Sequence, residues 1–125
     1  MVFTKRCGYL SLEEVDSPFK FPSNLVRAMI HCIGYEDTAR KKNRERFERS
    51  TDRRLMHRYG LERTVNGFTY GDCKVEFTGI YSIMSKQGNV LVPSGIAFDE
   101  RLAPFIVDYV NAWIGYYSSQ NIPHH

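Results

Sequence analysis

Cysteine is scarce in this sequence, and the three present, Cys7, Cys32 and Cys73, show no C-x-x-C spacing. An odd number leaves at least one thiol without an intramolecular partner, so a disulfide framework is not expected. Long apolar runs are missing as well. No stretch approaches the roughly 18 apolar residues of a membrane span, and Met1-Val2-Phe3-Thr4-Lys5-Arg6 lacks the apolar core of a signal peptide. These absences predict a cytoplasmic, reducing location without membrane association.

Motifs of catalysis are equally absent. There is no phosphate-binding glycine loop, no G-x-S-x-G elbow and no H-E-x-x-H helix, so neither catalytic residues nor a cofactor is expected. His31, Cys32, His57 and Cys73 match no common zinc spacing. The terminal His124-His125 pair reads as the start of a purification tag and is given no metal role. His31 lies in an apolar helical stretch and reads as a packed core residue. His57, beside Arg58 and Tyr59, is the one candidate for acid-base work on a phosphodiester, because imidazole titrates near neutrality. A helix C-terminus, whose dipole favours a cationic imidazole, explains it equally well.

What is present suits one domain over residues 1–125. At that length folding buries roughly two thirds of the unfolded surface, and 42% hydrophobic, 25% charged and 14% aromatic residues match ordinary globular averages. Pro18 and Pro22 bracket Phe19 and Phe21 in a connector that must be extended; before it, weak alternation at Tyr9-Leu10-Ser11-Leu12 suggests a short strand. Ser23 suits the N-cap of an apolar helix through Ile33, stopped by Gly34, and this helix is expected to be the central buried one. From Asp37 to Tyr59 the pattern is helical up to Gly60, as one helix or as two divided at Ser50-Thr51-Asp52.

After Gly60 the composition turns to β-branched residues, aromatics and glycines. Asn66-Gly67 is the strongest hairpin signal, as the centre of a type I′ turn. Further strands are expected at Lys74 to Thr78, Ile80 to Met84 and Val90 to Val92. Phe68, Tyr70, Phe77 and Tyr81 would either fill the core or form a stacking platform for unpaired bases. Leu102, Phe105, Ile106, Tyr109, Val110, Trp113, Ile114 and Tyr117 repeat at helical spacing, with Asp99 as the expected N-cap. The predicted fold is therefore α+β, in two layers: an antiparallel meander of three or four strands packed against N-terminal helices and an amphipathic C-terminal helix. Tyr116 and Tyr117 extend the apolar surface of that last helix, which makes a homodimer through it conceivable.

Charge is the one feature that points to a function. Arg40, Lys41, Lys42, Arg44, Arg46, Arg49, Arg53, Arg54 and Arg58 stand against Glu45, Glu48 and Asp52, a net +6 in a chain whose total is +3. At about 100° per residue, Lys42, Arg46, Arg49 and Arg53 fall within about 60° of one another and make a stripe. Arginine holds phosphate oxygens in a planar fork, and a basic helix face is the usual footprint of nucleic-acid binding. The expected contacts are Lys42, Arg46, Arg49 and Arg53, with Arg40, Arg44, Arg54 and Arg58 broadening the field. Two other readings stand beside it. In one the helix is laced by ion pairs such as Lys41 with Glu45, Arg44 with Glu48 and Glu45 with Arg49; in the other the arginines dock on an acidic protein surface.

Overall fold

A computed structural model of the chain describes residues 8–120, so Cys7, His124 and His125 lie outside the described residues. The elements run β1 (Phe19–Lys20), α1 (Ser23–Tyr35), α2 (Thr38–Tyr59), β2 (Glu62–Thr64), β3 (Gly67–Tyr70), β4 (Cys73–Ser85), β5 (Gly88–Phe98) and α3 (Ala103–Ser118). The strands pair antiparallel in the order β1-β5-β4-β3-β2. This is the α+β class expected, with five strands where three or four were predicted. The additional strand is β1, two residues held extended between Pro18 and Pro22 and too short to show alternation. The segments read as separate strands at Lys74 to Thr78 and Ile80 to Met84 are one strand. Register continues across Gly79, with Thr78 opposite Gly95 and Ile80 opposite Pro93.

The first hairpin sits one residue earlier than its sequence signal. Thr64 pairs with Gly67, leaving Val65 and Asn66 as the loop. A type I′ turn centred on Asn66-Gly67 is excluded, because no described non-glycine residue has positive φ and Gly67 is not among the glycines that do. Gly67 is needed for another reason: a Cβ there would stand 1.7 Å from the Val75 carbonyl oxygen. Only glycine lets β3 approach β4 so closely. The strand expected at Tyr9 to Leu12 is also replaced, by a 3-10 turn at Leu12–Glu14. Glu14 reaches back to accept the Ser11 N–H at 2.8 Å, which favours a turn over an extended chain.

The helices cover one face of the sheet. On that face Phe68 lies 5.0 Å from Phe105 and 5.8 Å from Tyr109, ring to ring, while Phe77 lies 5.8 Å from Tyr109. Phe68 is therefore a core residue and Phe77, half-buried, packs against that core, so only Tyr70 and Tyr81, about half exposed, remain of the four rings considered as a base-stacking platform. The central helix is α3, not α1. Six of its residues are buried, from Phe105 to Tyr117, whereas α1 buries Leu25, Met29 and Ile33 along one line. Apolar composition alone overstated α1, whose Val26, Ala28, Ile30 and Cys32 are only half-buried.

Several boundaries shift with physical cause. Pro22 is the N-cap of α1 and Ser23 its first residue; Gly34 lies inside the helix, which ends at Tyr35. Asp99 caps a 3-10 turn at Glu100–Leu102 by accepting the Arg101 N–H, and α3 begins after it with Pro104 in its first turn, where a missing N–H costs nothing. His31 is exposed beside Tyr35, with ring centroids 5.0 Å apart, and is not in the core. The aromatic end of α3 is occupied within the chain: Phe47 of α2 stacks on Tyr116 at 4.5 Å and meets Trp113 edge-on at 4.9 Å, and Tyr117 is buried. The surface that suggested a homodimer through this helix is thus largely covered. Among the described residues no helix is long and apolar enough to cross a membrane.

Candidate phosphate-binding face

Residues 38–59 form one helix about 33 Å long. Asp37 caps it by accepting the Arg40 N–H at 2.8 Å, and Gly60 ends it in the left-handed conformation with φ 70°. Ser50-Thr51-Asp52 does not divide it, because tertiary contacts outweigh their modest propensity cost. Thr51 is buried and Asp52 meets Arg63 of β2, with Nε and Oδ2 3.6 Å apart. Arg44, Thr51 and Leu55 define the face turned inward.

At about 100° per residue, the mean direction of Lys42, Arg46, Arg49 and Arg53 lies about 170° from that buried line. All four are exposed. The arc of about 140° from Arg49 round to Arg54 carries these cations together with exposed Asn43, Ser50 and His57, and no carboxylate of the helix falls within it. Glu45, Glu48 and Asp52 are half-buried on one flank. The three ion pairs proposed from spacing, Lys41 with Glu45, Arg44 with Glu48 and Glu45 with Arg49, do not close. The ion pairs among the described residues join Arg44 to Glu36, Arg58 to Asp108, Arg63 to Asp52, and Arg101 to Asp72 and Asp99.

The remaining predicted cations divide by environment. Arg44 must be removed from the set: it is 8% exposed and its guanidinium is held by Glu36, so neither its fork nor its net charge is offered to a ligand. Arg58 is exposed but leans on Asp108 at 3.6 Å and over the Tyr59 ring at 5.6 Å. Asp108 also accepts the Tyr59 hydroxyl proton, which ties the end of α2 to α3. Arg40 is half-buried beside Arg44, Tyr35 and Tyr116, at the edge of the face. Arg54 is exposed and extends it. Comparison with known protein families, curated proteins and solved structures finds no match to the chain. The face must be read from its own chemistry.

The chemistry of the face is electrostatic. His57 is exposed on the last turn of α2. Among the described residues no group of three or more His, Cys, Asp or Glu side chains is placed to hold a metal ion. Cys32 is no nucleophile at neutral pH, since burial and the nearby Glu36 charge push its thiol up to about 11. Sequence reasoning did not single out Arg63. It lies over the Phe68 and Phe77 rings at 5.0 and 5.6 Å, donates to the carbonyls of Thr64 and Gly67 at 2.7 Å and faces Asp52. A lone arginine in a short strand carries no sequence signal for such a role.

Proposed function

We propose that the outward face of α2 binds the phosphate backbone of a nucleic acid, through Lys42, Arg46, Arg49 and Arg53 with Arg54 beside them. The observation that carries this reading is the segregation of charge: the cations fill a carboxylate-free arc opposite the packing face, although Glu45, Glu48 and Asp52 belong to the same helix. An ion-paired solvent face would interleave the two signs. From Lys42 to Arg53 the stripe spans about 17 Å, and a helix about 10–12 Å wide matches the major groove of a duplex. Arginine forks and the flanking Asn43 and Ser50 donors suit phosphate oxygens, which position a protein without reading sequence. Binding is accordingly expected to be strongly salt-dependent and weakly sequence-dependent.

The test is a salt titration of binding to a fluorescent duplex and a single strand, with the chain and its Lys42, Arg46, Arg49 and Arg53→Gln variant. Losing four phosphate contacts should flatten the slope of log K against log salt by roughly 3–4 units on a duplex. Equal affinity and slope in the two proteins would sink the reading. No binding to either probe at physiological salt would instead favour an acidic protein surface as the ligand of the same arginines.

A further inference from the structure

A sheet edge presents unpaired N–H and C=O groups, and proteins normally blunt it with charge, proline or shortness. Three edges here are treated so. β2 is three residues long and carries Glu62 and Arg63, β1 is two residues flanked by prolines, and β5 beyond its β1 contact carries Pro93. The fourth edge is different. β3 pairs with β4 only at Cys73 to Glu76, and the Phe77 N–H adds one bond to the Asn66 carbonyl. From Thr78 to Ser85 that side of β4 meets no strand among the described residues, and the stretch holds neither a charge nor a proline.

The geometry points to a second copy of this chain as the occupant: β4 pairs with β4 of another molecule, antiparallel, about a twofold axis at Ser82. Side chains in an antiparallel pair must meet on matching faces. Centring on Ser82 sets Ile80 against Met84 of the partner and Tyr81 against Ile83 of the partner, apolar with apolar throughout. Centring on Tyr81 or Ile83 sets Ser82 against Ile80 or Met84 and loses those matches. The backbone agrees. Pro93 has no N–H, so its pair with Ile80 is the non-hydrogen-bonded kind; Tyr81 and Ile83 therefore turn their N–H and C=O groups to β5, and Ile80, Ser82 and Met84 turn theirs to the open side. Joined across the axis, they form about six new hydrogen bonds.

Exposure supports a partner of this kind. Ile80, Tyr81 and Met84 are 50%, 47% and 74% exposed, and Leu91, one strand inward on the same face as Ile80 and Met84, is 67% exposed. Ile80, Met84 and Leu91 share one face and present on the order of 400 Å², within the range of the largest apolar patch of a typical monomer, and Tyr81 adds exposed surface at the edge from the opposite face. The inference is independent of phosphate binding by α2.

Sedimentation equilibrium of the full chain at tens of micromolar should give twice the 14.6 kDa chain mass. Ile80→Lys with Met84→Lys, both at exposed positions, should give a monomer with an unchanged far-ultraviolet spectrum. Ser82→Cys places two thiols at the axis, and mild oxidation should link most of that protein as a disulfide dimer. Leu91→Cys, exposed on the same face but a strand away from the axis, should stay unlinked, as should the parent chain. A monomeric parent, a dimer that survives the double lysine change, or Leu91→Cys linking as readily as Ser82→Cys would each overturn the pairing.

Discussion

Arg44 and Glu36 form a two-pronged ion pair inside the protein, with Nη2 donating to Oε1 at 2.8 Å and Nε to Oε2 at 3.1 Å. Only 10% and 4% of the two side chains are exposed. Glu36 lies in the two-residue link between α1 and α2, so the pair fastens the corner where the chain reverses. Removing one partner strands a charge away from water. Glu36→Ala should cost about 3–5 kcal/mol, whereas Glu36→Leu with Arg44→Met should be near neutral. Urea unfolding of the three proteins measures the difference, and a loss below about 1 kcal/mol in Glu36→Ala would contradict the arrangement. The double variant, once folded, should retain any phosphate affinity of the chain.

That pair also shows where sequence reasoning stops. Helical periodicity placed Arg44 on α2, and composition located the basic stretch, the C-terminal helix and the sheet region. Burial of an arginine depends on a carboxylate eight residues earlier, beyond the end of another helix, and no local pattern encodes that meeting. The same holds for Asn66-Gly67. The pair marked a hairpin correctly, but the glycine serves a close approach to Val75, which becomes visible only when β3 and β4 are paired. Lys42, Arg46, Arg49 and Arg53 were legible as one stripe because helix geometry alone decides it. Whether that stripe faced outward required the positions of Thr51 and Leu55 against α3.

Asp52 should make stability depend on pH. Burial pushes its carboxyl up to about 6, and the Glu48 charge adds to this while Arg63 opposes it. The unfolded value is near 3.8, so the folded state keeps a proton that the unfolded state has already lost. This group's contribution is therefore fully present below pH 3.8 and is lost as pH rises to about 6. The loss is on the order of 2 kcal/mol after allowance for partial exposure. In Asp52→Asn the fall over that window should flatten, as read by unfolding midpoints at successive pH values. An identical slope in the two proteins would contradict the assignment.

The aromatic positions on β3 give a sharp contrast in one strand. Phe68 is 1% exposed and touches Phe77, Phe105 and Tyr109, whereas Tyr70 is 53% exposed. Phe68→Ala should cost about 3–5 kcal/mol through lost burial and the cavity left behind. Tyr70→Ala should change stability by about 0.5 kcal/mol or less. Thermal and urea unfolding distinguish the two, and comparable losses would mean that the ring cluster is not the centre of the core.

Two glycines should respond to alanine with opposite signs. Gly34 lies within α1, its φ is not positive, and a Cβ there meets nothing within 4 Å. Glycine in a helix costs about 0.5–1 kcal/mol relative to alanine, chiefly through chain entropy, so Gly34→Ala should stabilise by about that amount. At Gly67 the added Cβ would lie 1.7 Å from the Val75 oxygen and 3.0 Å from the Glu76 Cα, both of them backbone atoms. No side-chain rotation relieves such an overlap. The strands must separate where Gly67 opposes Glu76 and Phe68 opposes Val75, which withdraws Phe68 from the core. Gly67→Ala should therefore cost on the order of 3 kcal/mol or more. Amide exchange should show the loss first at β2, β3 and the facing residues of β4, while α1 remains protected. Equal protection of β3 in Gly67→Ala and in the parent would mean that the strands tolerate the added methyl.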